Sequence, residues 1–134
     1  MKEHFYGFYD SLNRKTSEKT LASTDSYIDS VHVNNGDQEN SDGNAFIGAK
    51  VTEASFTISV TCALYFGSGV GYSPWHSLLD ESATRVNTFD STKVFQASLY
   101  NQEWWNKNHH GFKLRFTRDS GSGNCKINCE GTVS

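Results

Sequence analysis

The sequence predicts an all-β protein, a single antiparallel β-sandwich of jelly-roll type with an aromatic N-terminal arm. Residues 54–66, ASFTISVTCALYF, place Ala54, Phe56, Ile58, Val60, Cys62, Leu64 and Phe66 at every second position. A strand gathers that set on one face, whereas a helix would scatter it around its circumference. The same period of two returns in residues 45–51, 93–100, 111–118 and 125–133. Clusters of Gly, Asn, Asp and Ser separate these runs and no convincing helical period intervenes, so about seven to nine strands are expected.

The chain has 134 residues, the size of one domain with room for a core. Residues 1–23 read as an arm and polar connector, and residues 24–134 as the sandwich. Apolar residues make up 36% and charged residues 20%, which suits a folded chain with a polar surface. The net charge of −3 is far from the basic balance of a nucleic-acid binder, so no nucleic-acid partner is expected. No membrane insertion is expected either, because no apolar run approaches the length of a span. The opening MKEHFYGFYD lacks the apolar stretch of a secretory signal.

Along the arm, Phe5 and Tyr9 share one strand face and Tyr6 and Phe8 the other. Such a segment needs cover on both sides, either in the core or on a neighbouring subunit. Residues 13–26, rich in Ser, Thr and Lys, connect it to a modest strand at 27–33. There Tyr27, Val31 and Val33 share one face and His32 points to the surface. Residues 34–44 are the strongest turn signal, since Asn35-Gly36 and Asp42-Gly43 suit hairpins. Asp37, Glu39 and Asp42 offer oxygen ligands for Ca²⁺, but their spacing is not that of an EF-hand, and a solvated acidic loop is expected.

A strand at 45–51 turns inward Ala45, Ile47, Ala49 and Val51 and leads, by a tight turn or a bend, into 54–66. That central strand would be about 40 Å long at ~3.3 Å per residue. The glycine-rich loop after Phe66 lacks the Lys-Ser/Thr of a phosphate-binding loop. Residues 77–83 suit one helical turn with Asp80 and Glu81 exposed, and strands follow at 85–90 and 93–100. Beyond the polar loop NQEWWNKNHH, Phe112, Leu114 and Phe116 face in while Lys113, Arg115 and Thr117 face out. The last strand sets Cys125, Ile127, Cys129, Gly131 and Val133 against Lys126, Asn128, Glu130 and Thr132 on the other face.

The opening YGFYDSLN resembles the start of phage and prophage tail or baseplate structural proteins, although Arg14, Lys15 and Thr16 follow where that family tends to continue Gly-Asp-Arg. The resemblance implies a non-catalytic virion component (decoration, baseplate or fibre), located in the virion or outside the cell. Its partners would be copies of itself or other virion proteins. Assembly would proceed by arm exchange, burying Phe5, Tyr6, Phe8 and Tyr9 against a neighbour.

Catalysis needs a constellation of groups. His76, His109 and His110 and the acids Asp80, Glu81 and Glu103 are present without a nucleophile motif such as GxSxG, so no catalytic residue is assigned and no enzyme is expected. His109 and His110 with Cys125 and Cys129 are metal-ligating types. On a regular strand, however, residues four apart are separated by ~13 Å, too far to share a metal or a disulfide. No metal or cofactor is therefore expected. The three cysteines read as buried thiols, or as a Cys62 bridge to Cys125 or Cys129 that leaves one sulfur over. A spare sulfur of that kind suits a disulfide-linked extracellular filament.

The best functional candidates are Trp75, Trp104 and Trp105, all in loop sequence. Glycan sites stack an aromatic face on sugar C–H groups and bond hydroxyls with amides and acids. Trp104 or Trp105 with Asn101, Gln102, Glu103, Asn106 and Asn108 supplies that chemistry, which makes a lectin-like domain binding a cell-surface glycan the alternative function. Adjacent residues point in different directions, which predicts one tryptophan of the pair buried and the other exposed.

Overall fold

A computed structural model describes residues 2–35 and 42–134. In chain order the strands are β1 (Glu3–Tyr6), β2 (Phe8–Tyr9), β3 (Lys15–Thr16), β4 (Glu18–Leu21), β5 (Tyr27–Asp29), β6 (Val33–Asn34) and β7 (Ala45–Val51). They continue with β8 (Thr57–Tyr65), β9 (His76–Ser77), β10 (Thr88–Asp90), β11 (Phe95–Ser98), β12 (Gly111–Ser120) and β13 (Cys125–Val133), and a 3-10 turn covers Leu99–Asn101.

In the first sheet β1 and β4 lie end to end along β13, which pairs on its other side with β7, and β7 with β11. In the second, β5 and β6 lie end to end along β12, which pairs with β8, and β9 and β10 line the far side of β8. With each end-to-end pair counted as one position, the sheets run 1-8-3-6 and 2-7-4-5, all antiparallel. That order is the double Greek key of a jelly roll. Strands buried on one face only must alternate, and they do. Ala45, Ile47, Ala49 and Val51 of β7 meet Ile58, Val60, Cys62 and Leu64 of β8 and Phe112, Leu114 and Phe116 of β12 in one core. No helix of the described residues is long and apolar enough to cross a membrane.

Several expectations change. Within the stretch read as arm and connector, β1 and β4 join the first sheet and satisfy the backbone groups along one side of β13. Phe5 packs edge-on against Phe112 and Phe8 tilts against Phe116, each at 5.9 Å, inside this chain's own core. Tyr6 and Tyr9 stay exposed. The central strand is shorter than 54–66, since Ser55 adopts a left-handed φ of 72° and turns the chain between the sheets. Near the start, Ile28 faces in and Tyr27 out. Ser30 shifts the register there: its N–H donates to Leu114 O, while its Oγ accepts the Leu114 N–H in place of a backbone carbonyl.

Residues 77–83 form no helical turn, and Asp80 is buried instead of exposed. Its Oδ1 accepts from Ser82 N, Ser82 Oγ and Val86 N, and the Lys93 ammonium closes on Oδ2 at 2.7 Å. Of the two readings of the cysteines the structure has the first: Cys62, Cys125 and Cys129 are free and buried, without the Cys62 bridge. Cys62 belongs to the opposite sheet, about 10 Å away across a sandwich, beyond the ~7 Å between Cα atoms that a disulfide bridges. Burial pushes the Cys129 thiol up to about 12. Gly36, Asp37 and Glu39 lie outside the described residues.

Candidate functional site

Jelly-roll connectivity gathers residues 42–44, 66–77 and 99–110 at one end of the sandwich. Trp104 and Trp105 fasten these segments together. The Trp104 indole N–H donates to Ser77 O at 2.9 Å, and that of Trp105 to Gly43 O at 3.1 Å. Trp104 stacks on His76 at 5.1 Å with 12° between the planes, while Trp105 meets Tyr100 edge-on at 4.8 Å. Both indoles are half-buried, so the expected split into one buried and one exposed ring does not occur.

Gln102 is buried and acts as a clip. Its Oε1 accepts from Leu79 N, and its Nε2 donates to Leu79 O and Ser98 O, each at 2.9 Å. Asn106 Oδ1 accepts the Asn108 N–H and shapes the turn, while Glu103 is exposed. His109 is buried with Nδ1 against Asn106 O. Burial holds its pKa below the ordinary histidine value; the Asn106 carbonyl opposes this and the nearby His110 adds to it.

Trp75 lies elsewhere, on the outer face of the second sheet. Its ring covers the Arg115 guanidinium at 4.3 Å and the Lys113 ammonium at 5.3 Å. Tyr27 lies 3.9 Å from the same guanidinium and Tyr72 4.3 Å from the same ammonium. Asp29 pairs with Arg115 through two hydrogen bonds of 2.8 and 3.1 Å. Rings and cations thus engage one another across this face. The three tryptophans do not meet in one platform. Among the described residues no three His, Cys, Asp or Glu side chains converge as metal ligands.

One sequence candidate, Asn101, borders a different feature. On the outer face of the first sheet, register places Gly48 between Gln96 and Glu130, and Phe46 between Ser98 and Thr132. With no side chain at Gly48 the face has a gap at its centre. A groove of about 580 Å³ opens there, bordered by His4, Phe46, Gln96, Glu130 and, at the rim, Glu81 and Asn101. A second depression of about 330 Å³ continues from Gly48 and Glu130 to Lys50 and Asn128.

The groove joins an apolar surface to oriented polar groups. Phe46 is 48% exposed. Asn101 Nδ2 donates to both Glu81 carboxylate oxygens at 3.1 and 2.9 Å, and Arg85 holds the Asn101 carbonyl at 2.7 Å. Glu130 stands 3.9 Å from His4 Nε2. A ring face beside the hydrogen-bonded Glu81–Asn101 pair and further polar side chains suits a hydroxyl-rich ligand. Phe46 escaped the sequence reading, yet its signal was present. The alternation that turns Ala45 and Ile47 inward leaves Phe46 as a large aromatic on an otherwise polar face.

The fold defines the class of the protein, a jelly-roll β-sandwich. No family model and no curated protein matches the chain. Among solved structures it is similar to the CBM22-1–GH10 modules of Clostridium thermocellum endo-1,4-β-D-xylanase 10B complexed with xylohexaose, at 8% identity and a TM-score of 0.49, covering 99% of this chain and 24% of that one. It is also similar to the CBM22-1 xylan-binding domain from Paenibacillus barcinonensis Xyn10C, at 8% identity and a TM-score of 0.39, covering 86% of this chain and 92% of that one. A third likeness is to the Drosophila NLP-core, at 13% identity and a TM-score of 0.30, covering 99% and 96%. Likenesses this distant carry nothing for function.

Proposed function

We propose that this chain is a non-catalytic recognition module that binds a neutral oligosaccharide in the groove on the first sheet. The observation that carries the reading is the half-exposed Phe46 ring beside Gln96, Glu130 and the Glu81–Asn101 pair, around about 580 Å³ of open space. Sugar C–H groups stack on the ring and hydroxyls bond to the polar side chains, of which the Glu81–Asn101 pair is oriented before binding, which limits the entropy lost. Glu81 and Glu130 disfavour an anionic sugar at this end.

Electrophoresis through gels containing soluble xylan, mixed-linkage β-glucan, galactomannan or hydroxyethylcellulose tests the reading. Wild type is retarded by at least one, and Phe46→Ala migrates freely there. Unretarded migration of wild type in every gel refutes the proposal.

A second reading, as a subunit of a phage-like particle, draws on Tyr9 and Leu12, 45% and 70% exposed around the β2–β3 hairpin. Phe5 and Phe8 serve the chain's own core, so contact would use the hairpin surface without exchange of the arm. Light-scattering mass on a sizing column tests it, and a monomer at all concentrations counts against it.

A further inference from the structure

Building on the oligosaccharide reading, we infer that the groove takes an internal stretch of a linear neutral polysaccharide, which crosses the first sheet over Gly48. The observation is Gly48 itself. Glycine weakens the middle of a strand, so its presence at the centre of β7 calls for a cause. Backbone conformation is not the cause, because Gly48 is not among the positive-φ glycines. Close packing is not the cause either. A methyl group at Gly48 would meet only Glu130 O at 3.5 Å and Phe95 O at 4.0 Å, ordinary contacts. Gly131 on the neighbouring strand is the contrast, since a methyl group there would stand 1.9 Å from Phe46 O.

What Gly48 provides is free space on the outer face. The two depressions share Gly48 and Glu130 as common floor; one extends toward Phe46 and Thr132, the other toward Lys50 and Asn128. An outward side chain at position 48 would stand between them. From residue 46 to residue 50 the path covers about 13 Å at ~3.3 Å per residue, longer than a single sugar ring. The floor continues past Gly48 in both directions, where a pocket for a chain end would stop. Gln96 and Glu130 flank Gly48 on the adjacent strands. Glu81 toward one end, Glu130 beside Gly48 and Lys50 toward the other end give no single-signed field for a polyanion.

The experiment compares wild type, Gly48→Ala, Gly48→Leu and Phe46→Ala. It uses gels of whichever named polysaccharide retards wild type, then calorimetric titration with the matching monosaccharide through hexasaccharide. Affinity should rise about tenfold or more from disaccharide to hexasaccharide and survive reduction of the terminal sugar to its alditol. Gly48→Leu should lose about tenfold or more while melting at or above the wild-type temperature, and Gly48→Ala should stay within about threefold. If Phe46→Ala abolishes retardation but Gly48→Leu binds as wild type does, the crossing over Gly48 is overturned and the oligosaccharide reading stands. Equal affinity for monosaccharide and hexasaccharide likewise overturns the crossing alone. If no polysaccharide retards wild type, the oligosaccharide reading falls, and this inference with it.

Discussion

Gln102 separates a ligand-binding residue from a structural one. Its side chain makes three hydrogen bonds to two segments, at Leu79 and Ser98, and it is 5% exposed. Gln102→Ala strands one backbone N–H and two carbonyls where water has little access. At ~1 kcal/mol per lost bond, and more where a group stays buried unpaired, the cost is about 3–5 kcal/mol. For a domain of this size that lowers the melting temperature by about 10–15 °C. Gln102→Glu sharpens the test. Near neutral pH it places a carboxylate against Leu79 O and Ser98 O, so the folded-state pKa rises above the unfolded value of ~4.3. A raised carboxylate pKa means stability is present below the unfolded value and lost as pH rises, so the deficit against wild type widens from pH 4 to pH 7. Thermal melts followed by tryptophan fluorescence across that range read both variants. If Gln102→Ala melts within about 3 °C of wild type yet loses polysaccharide retardation, Gln102 is a ligand contact and the clip is wrong.

Three further outcomes are expected. His109 resists protonation when folded, whereas an unfolded histidine takes a proton near pH 6.5. Its contribution is therefore complete above that pH and is lost as pH falls below it. Urea midpoints from pH 8 to 5.5 should decline for wild type and stay flatter for His109→Gln, and parallel curves would count against the assignment. A thiol reagent should find no reactive cysteine in the native chain and all three after denaturation, with no effect of reductant on mass; a thiol that reacts at once in the native state would contradict the burial of Cys62, Cys125 and Cys129. Gly131→Ala should destabilise by about 3 kcal/mol or more through its clash with Phe46 O, while Gly48→Ala is near neutral. Equal melting temperatures for the two would undo the contrast.

Local alternation was enough to read much of this fold. Ala45–Val51 and Cys125–Val133 emerge with their observed ends, because each strand buries one face and a shift by one residue would expose its whole apolar set. Alternation failed where a single residue overrode it. Ser55 turns the chain before β8, and the Ser30 hydroxyl replaces a ladder bond and resets the phase. The arm was legible as needing cover on both sides but not as part of its own sheet, since pairing with β13 joins residues more than a hundred positions apart.

The candidate site was mostly illegible, for a related reason. Tryptophans drew notice as large aromatics in loops, yet their indole partners at Ser77 and Gly43 lie 27 and 62 residues away. Only the closed jelly roll shows them as fasteners. Strand character and inward face are properties of a few consecutive residues, so composition and period report them. The groove depends instead on Gln96, Gly48 and Glu130 standing side by side on three strands. That register follows from how the two sheets close around one core, and no local stretch of chain encodes it.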